Sequence, residues 1–156
     1  MTVTVTRDEA ANVLKNIKTF AGKGVLVGIP EDQNGRGEGI GNAALGFIHE
    51  NGSPARNIPA RPFLLPGVTK AMPDILQTWK AFTKAGLTDE SAVDKGLEAV
   101  GLQAQAAVKK QIVSQDGFMP LSHKTIAARK SKGYQGEKAL IRTGQLLNSI
   151  NYVVKD

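Results

Sequence analysis

The chain of 156 residues contains no cysteine, which removes disulfide staples, thiolate metal sites and a cysteine nucleophile at one stroke. Aromatic residues make up only 5% of it, with a single tryptophan, so a platform of stacked rings for single-stranded nucleic acid has little to be built from. The apolar runs are too short to cross a bilayer, and Met1 to Thr6 alternates polar with β-branched residues, without the basic region and apolar core of a signal peptide. The expectation is a protein made in the cytoplasm with no membrane association. Histidine is limited to His49 and His123, which stand in different segments outside any HExxH pattern, and no serine occupies a G-x-S-x-G elbow. No catalytic, cofactor-binding or metal-ligating residue is expected, and the chain does not read as an enzyme.

What is present is ordinary globular material. Hydrophobic residues at 41% and charged residues at 22% fit one folded domain over residues 1–156, long enough to bury a core. The net charge of +6 is unevenly spread: residues 1–78 carry 8 Lys/Arg against 7 Asp/Glu, and residues 79–156 carry 12 against 7. Within 117–142, Lys124, Arg129, Lys130, Lys132, Lys138 and Arg142 face only Glu137. A solvated basic helix is the plainer reading of this stretch, and contact with phosphate is the sharper one.

Thr6 to Glu9 fits a capping box, followed by a helix whose apolar positions Ala10, Val13, Leu14, Ile17 and Phe20 recur at helical spacing and which Gly22 or Gly24 ends. Gly24 to Ile29 reads as a strand apolar on both faces, and so covered on both. Glu31 to Gly41, with four glycines among polar side chains, predicts a flexible loop at 31–41. Its glycines at 35, 37, 39 and 41 match no phosphate-binding motif. Asn42 is placed to cap a short helix, Ala43 to Asn51, that Gly52 terminates. Four prolines between Ser53 and Pro66 predict an extended connector with a short edge strand at Arg61 to Leu65.

Val68, Met72, Ile75, Trp79 and Phe82 share one helical stripe that Pro73 interrupts, so the helix either starts near Pro73 or kinks there. The longest helix is expected from Asp89 to about Ser114, with Val93, Leu97, Val100, Ala104, Ala107, Val108 and Ile112 on one side. Asp89, Glu90, Asp94 and Glu98 crowd its first turns, where the helix dipole accounts for them without a metal. The small residues Ala99, Gly101, Ala104, Ala106 and Ala107 would let a neighbouring helix or subunit approach closely. Ser122 caps a helix from Lys124 to Lys132, Thr143 caps another from Gly144 to Ser149, and Ile150 to Val154 is a final strand that pairs with Val25 to Ile29 or with a neighbour's sheet. The fold class that follows is α+β, with three to four helices packed on a small mixed or antiparallel sheet in a single domain.

Two stretches carry a family resemblance. Ala43 to Ser53, containing Ile48-His49-Glu50-Asn51-Gly52-Ser53, runs into Ile58-Pro59-Ala60-Arg61-Pro62-Phe63-Leu64. Pro120-Leu121-Ser122 with Thr125-Ile126 and Ala128-Arg129-Lys130 leads on to Leu140-Ile141-Arg142-Thr143-Gly144-Gln145-Leu146-Leu147-Asn148-Ser149-Ile150. Together they cover about half of the chain, and in this order they resemble signatures of small tail-completion and neck proteins from the head–tail connector region of tailed bacteriophages. The chain departs from the pattern at Arg142, where an acid is common, and in having no further hairpin after Val154.

The resemblance implies a virion structural protein, assembled in the host cytoplasm, that forms a homo-oligomeric ring of six or twelve copies around the DNA channel. Its partners would be other neck, portal-adaptor or tail-terminator proteins, with non-specific contact to genomic DNA, and it would need no cofactor. On that reading Ile58, Pro59, Arg61, Pro62 and Phe63 form a proline-stiffened strap suited to a subunit interface. Lys124, Arg129, Lys130 and Lys132 would face the DNA channel or an acidic partner. Two rivals stand beside it: a free-standing, non-specific nucleic-acid-binding protein using 117–142, and a small hydrolase supported only by the glycine loop and His49.

Overall fold

The computed structural model describes residues 10–37, 39–89 and 91–155; the expected capping box at Thr6 to Glu9 lies outside them. In chain order the elements are α1 (Ala10–Gly22), β1 (Gly24–Gly28), α2 (Asn42–Asn51), α3 (Leu64–Gly86), α4 (Ser91–Ser114), α5 (His123–Ser131), α6 (Gln145–Ser149) and β2 (Asn151–Lys155). Six α-helices among the described residues exceed the three or four of the expected fold class, although the short ones, α2, α5 and α6, were each marked in the sequence. The sheet has two strands, paired antiparallel with Gly24 opposite Lys155 and Gly28 opposite Asn151.

Helices α3 and α4 form an antiparallel pair that organises everything else. Asp89 starts α4, its carboxylate accepting from the Ser91 backbone N–H at 3.0 Å and from the Ser91 hydroxyl at 2.8 Å. Between the two helices Ile75, Phe82, Val93, Leu97, Val100 and Ala104 make one buried cluster. A second cluster, Phe63, Val108, Ile112, Ala139, Leu140, Leu146 and Ile150, lies where the C-terminal half of α4 meets the chain's last third. Leu97, Ile112 and Ile150 are almost wholly enclosed, each contributing roughly 1.5–3 kcal/mol through burial. Val27 packs against both clusters and joins them.

Close approach is set by glycine. A Cβ on Gly67 would lie 2.8 Å from the Val108 Cα, one on Gly96 2.0 Å from the Phe82 ring, and one on Gly101 2.1 Å from the Tyr152 ring. Of the small-residue face of α4, Gly101 and Ala104 are therefore used within the chain, by Tyr152 and by the α3–α4 core.

Several expectations need correction. No edge strand forms at Arg61 to Leu65, because α3 already begins at Leu64. Pro73 sits inside α3, neither starting nor ending it; Thr69, whose carbonyl it leaves free, is on the exposed side where water can satisfy it. On the stripe of α3, Ile75 and Phe82 are buried while Met72 and Trp79 remain 39% and 37% exposed, Trp79 packing edge-on against Phe82 with ring centroids 5.0 Å apart. In α1, Leu14 and Ile17 face solvent and the buried residue is Asn16, which donates to the carbonyls of Gly86 and Leu87 at 3.1 and 3.2 Å and so straps α1 over the α3–α4 turn. The β ribbon is covered on one face only, by α4. The directly opposed pair Leu26 and Val153 stays outside, 60% and 47% exposed.

Candidate functional site: a basic cleft

Helix α2 ends at Gly52, where a positive φ of 77° and the Ala60 backbone N, which an added Cβ would meet at 2.9 Å, exclude a side chain. The chain then makes a small closed loop: Ser53 and Ile58 exchange backbone hydrogen bonds of 2.8 and 3.0 Å around a 3-10 turn at Pro54–Arg56. From there residues 58–63 run back along the end of α2. The Arg61 N–H donates to the His49 carbonyl at 2.7 Å, and the Glu50 carboxylate accepts from the backbone N–H groups of Phe63, Leu64 and Leu65 at 2.7, 2.9 and 3.0 Å. The 58–63 strap is thereby fixed to two helices.

The Arg61 side chain extends the other way, across to the segment before α5. Its Nε donates to the Met119 carbonyl at 2.9 Å and its Nη2 to that of Pro120 at 3.4 Å. Beyond that segment Ser122 caps α5, accepting from the Thr125 N–H at 3.2 Å. Arg129 of α5 donates to the Lys138 carbonyl at 2.8 Å, while the Gln115 amide pairs with both backbone groups of Ala139, at 3.0 and 2.6 Å. These bonds anchor the 132–142 excursion against the end of α4. Leu140, buried beneath it, holds a left-handed backbone at φ 61°, a conformation costing roughly 1–3 kcal/mol for a residue with a Cβ.

Between the strap and the α5–α6 region lies an open cleft of about 1020 Å³. Arg36, Arg61, Arg129, Lys132 and Arg142 line it together with His49, and among the described lining residues there is no Asp or Glu. Arg36 reaches the cleft because residues 33–36 are tied to α2: buried Asn42 donates to the carbonyls of Gln33 and Gly35 and accepts from Arg36 Nη1 at 3.0 Å. Asn42 is thus inside α2, and the capping role expected of it passes to Asn34, whose side chain accepts from the Ala43 N–H at 2.8 Å.

The crowding of cations shows in their acidity. Burial lowers the pKa of Arg61, and burial followed by repulsion from Arg142 and Arg61 lowers that of Arg129. His49 is lowered by burial, then by Arg61 and Arg36, which favours its neutral form; its Nδ1 is shut off from solvent without a hydrogen-bond partner. Arg142 lies over the Tyr134 ring, 5.1 Å from its centroid. Such a site suits carboxylate or phosphate groups, to which guanidinium forks are matched. Among the described residues, no three His, Asp or Glu side chains are grouped to hold a metal ion.

Of the residues singled out in the sequence, the strap and the basic helix meet here but not as expected. Phe63 is buried in the chain's own core, whereas Ile58, Pro59 and Arg61 line the cleft, Arg61 itself buried, and Pro62 is half-buried. Arg129 and Lys132 line the cleft, Lys130 pairs with Glu137 at 3.2 Å, and Lys124 is exposed outside it. Arg142 was counted in the basic 117–142 stretch but not among the channel-facing residues, and Arg36 was not singled out at all; the sequence offers no spacing that links Arg36 to the site.

No helix among the described residues is long and apolar enough to cross a membrane. Compared with models of protein families, with curated proteins and with solved structures, the chain finds no match in any of the three.

Proposed function

We propose that this chain is a structural subunit of a tailed-phage neck, one copy of a homo-oligomeric ring of six or twelve that completes the tail or joins it to the head around the DNA channel. The observation that supports the reading is the meeting of the two stretches that carry the family resemblance. They are far apart in sequence, yet they form opposite walls of one cleft, and Arg61 of the first donates both its side-chain hydrogen bonds to carbonyls at the start of the second. The outward apolar pair Leu26 and Val153 on an open two-stranded ribbon adds a surface that a neighbouring subunit would cover. Catalysis has no part in this reading, and the location it implies is the virion.

The free-standing nucleic-acid-binding alternative has less behind it, since the four basic residues of 124–132 divide between the cleft, an ion pair and open solvent. Electron microscopy of particles carrying this chain is the direct test. The expected result is a closed ring in the neck with each copy touching two neighbours through different surfaces. Two-fold dimers, or no copies in the particle at all, would overturn the proposal.

A further inference from the structure

We infer that the basic cleft is a docking site for an acidic, extended segment of a different protein chain, one in which carboxylates alternate with apolar side chains. The inference stands on the cleft alone and holds whether or not the subunit forms a ring.

Charge comes first. Five permanent cations line one concavity without a carboxylate among the described lining residues, and Arg142 and Arg61 lie close enough to Arg129 to add to the lowering of its proton affinity by burial. Such an arrangement costs free energy until an anion enters, and a carboxylate desolvated there gains more than it would on an open surface. Size comes second. About 1020 Å³ is at the upper limit of small-molecule pockets, and the cleft is open along the strap, so a length of polymer fits it better than a metabolite.

The walls decide which polymer. Ile58, Pro59, Met119, Pro120 and Leu121 present apolar surface beside the cations, with Met119 60% exposed. Phosphodiester backbone has no use for such walls. A DNA duplex is recognised by elements that project into its grooves, and a concave cleft does not project. Single strands need ring faces for stacking, and Tyr134, the one Phe, Trp or Tyr among the described residues lining the cleft, is covered by Arg142. An extended peptide uses both features, its carboxylates meeting the guanidinium groups and its intervening side chains the apolar wall.

The segment is assigned to a different protein because the chain commits many of its own described carboxylates elsewhere. Glu50 caps α3, Asp94 pairs with Lys23, Asp116 with Lys70 and Glu137 with Lys130, while Glu98 accepts from the Tyr152 hydroxyl and Asp89 caps α4.

The test uses the full chain and three fluorescein-labelled probes followed by anisotropy: a peptide alternating glutamate with leucine, the same peptide with glutamine for glutamate, and a mixed-sequence DNA duplex. The Glu–Leu peptide should bind, with amide shifts centred on Ile58 to Arg61 and on Ser122, and the Gln–Leu peptide should not. Lys132→Ala with Arg142→Ala, neither of whose side chains donates to the backbone of a described residue, should weaken binding about tenfold or more at unchanged thermal stability. No binding of the Glu–Leu peptide, or binding that this double variant leaves intact, would overturn the inference. Tighter binding of the duplex, lost in the same variant, would reassign the cleft to nucleic acid. Self-association of the free chain, lost in the variant, would reassign it to a second copy.

Discussion

Glu50, in the last turn of α2, accepts a hydrogen bond of 2.7 Å from the backbone N–H of Phe63, the residue that precedes α3. The same carboxylate takes the N–H groups of Leu64 and Leu65, and since Pro66 has no N–H, all three donors left over at this helix start are satisfied from another helix. Phe63 has no capping side chain of its own. Replacing Glu50 by Ala should therefore destabilise the fold by about 2 kcal/mol, and Glu50→Gln by less. Urea unfolding checks this; an unchanged midpoint in Glu50→Ala would remove the cap from the account.

Asn42 offers a second test. Its buried amide joins Gln33, Gly35 and Arg36, and Asn42→Ala leaves those groups to find water. The expected cost is about 1–3 kcal/mol, with faster hydrogen exchange confined to residues 33–43. Exchange unchanged there would mean that Asn42 does not hold the segment.

The pH dependence follows from His49. Burial, then Arg61 and Arg36, hold its pKa below the ordinary 6.5. The unfolded chain takes up a proton at this residue as pH falls through its ordinary value, whereas the folded chain does so only at lower pH. The stability contributed by keeping His49 neutral is complete above about 6.5 and is lost progressively below it. Denaturant midpoints measured between about pH 7 and about pH 5 should fall for the parent chain and fall less for His49→Gln. Parallel curves for the two proteins would refute the assignment.

Two glycine substitutions should move stability in opposite directions. Gly67→Ala brings a Cβ against the backbone of Val108, which cannot rotate away, and should cost about 1–3 kcal/mol through separation of α3 from α4. Gly22→Ala, at the end of α1 with nothing within 4 Å, should be neutral or stabilise by up to about 1 kcal/mol. Thermal melts of both variants decide the matter.

The sequence made the helices legible wherever start signals and periodicity agreed, as at Ser122 for α5 and along the buried side of α4. It misplaced the start of α3 because the signal there is Glu50, a cap supplied through space by another element. Asn16 was invisible for the same reason: its partners, the carbonyls of Gly86 and Leu87, are about seventy positions away. The cleft was half legible. Strap and basic helix could each be picked out by residue type, but their meeting depends on Arg61 crossing to Met119, and the orientation of Arg36 depends on Asn42. Long side chains that act across a gap leave no local period to read.

The pairing of Gly24 with Lys155 also has a meaning in time. A strand made early during synthesis has its partner, among the described residues, more than a hundred positions further along, so the ribbon cannot zip until that later segment has been made. Until β2 arrives, Tyr152 is missing from the notch at Gly101, and Val25 and Val27 lack the residues opposite them. Helices α3 and α4, close in sequence, can pair at once; closure of the ribbon is a long-range contact and correspondingly slow. Strand β2 therefore acts as a latch, and a chain lacking it would keep its helices but expose the apolar side of an unpaired β1 to quality-control proteases.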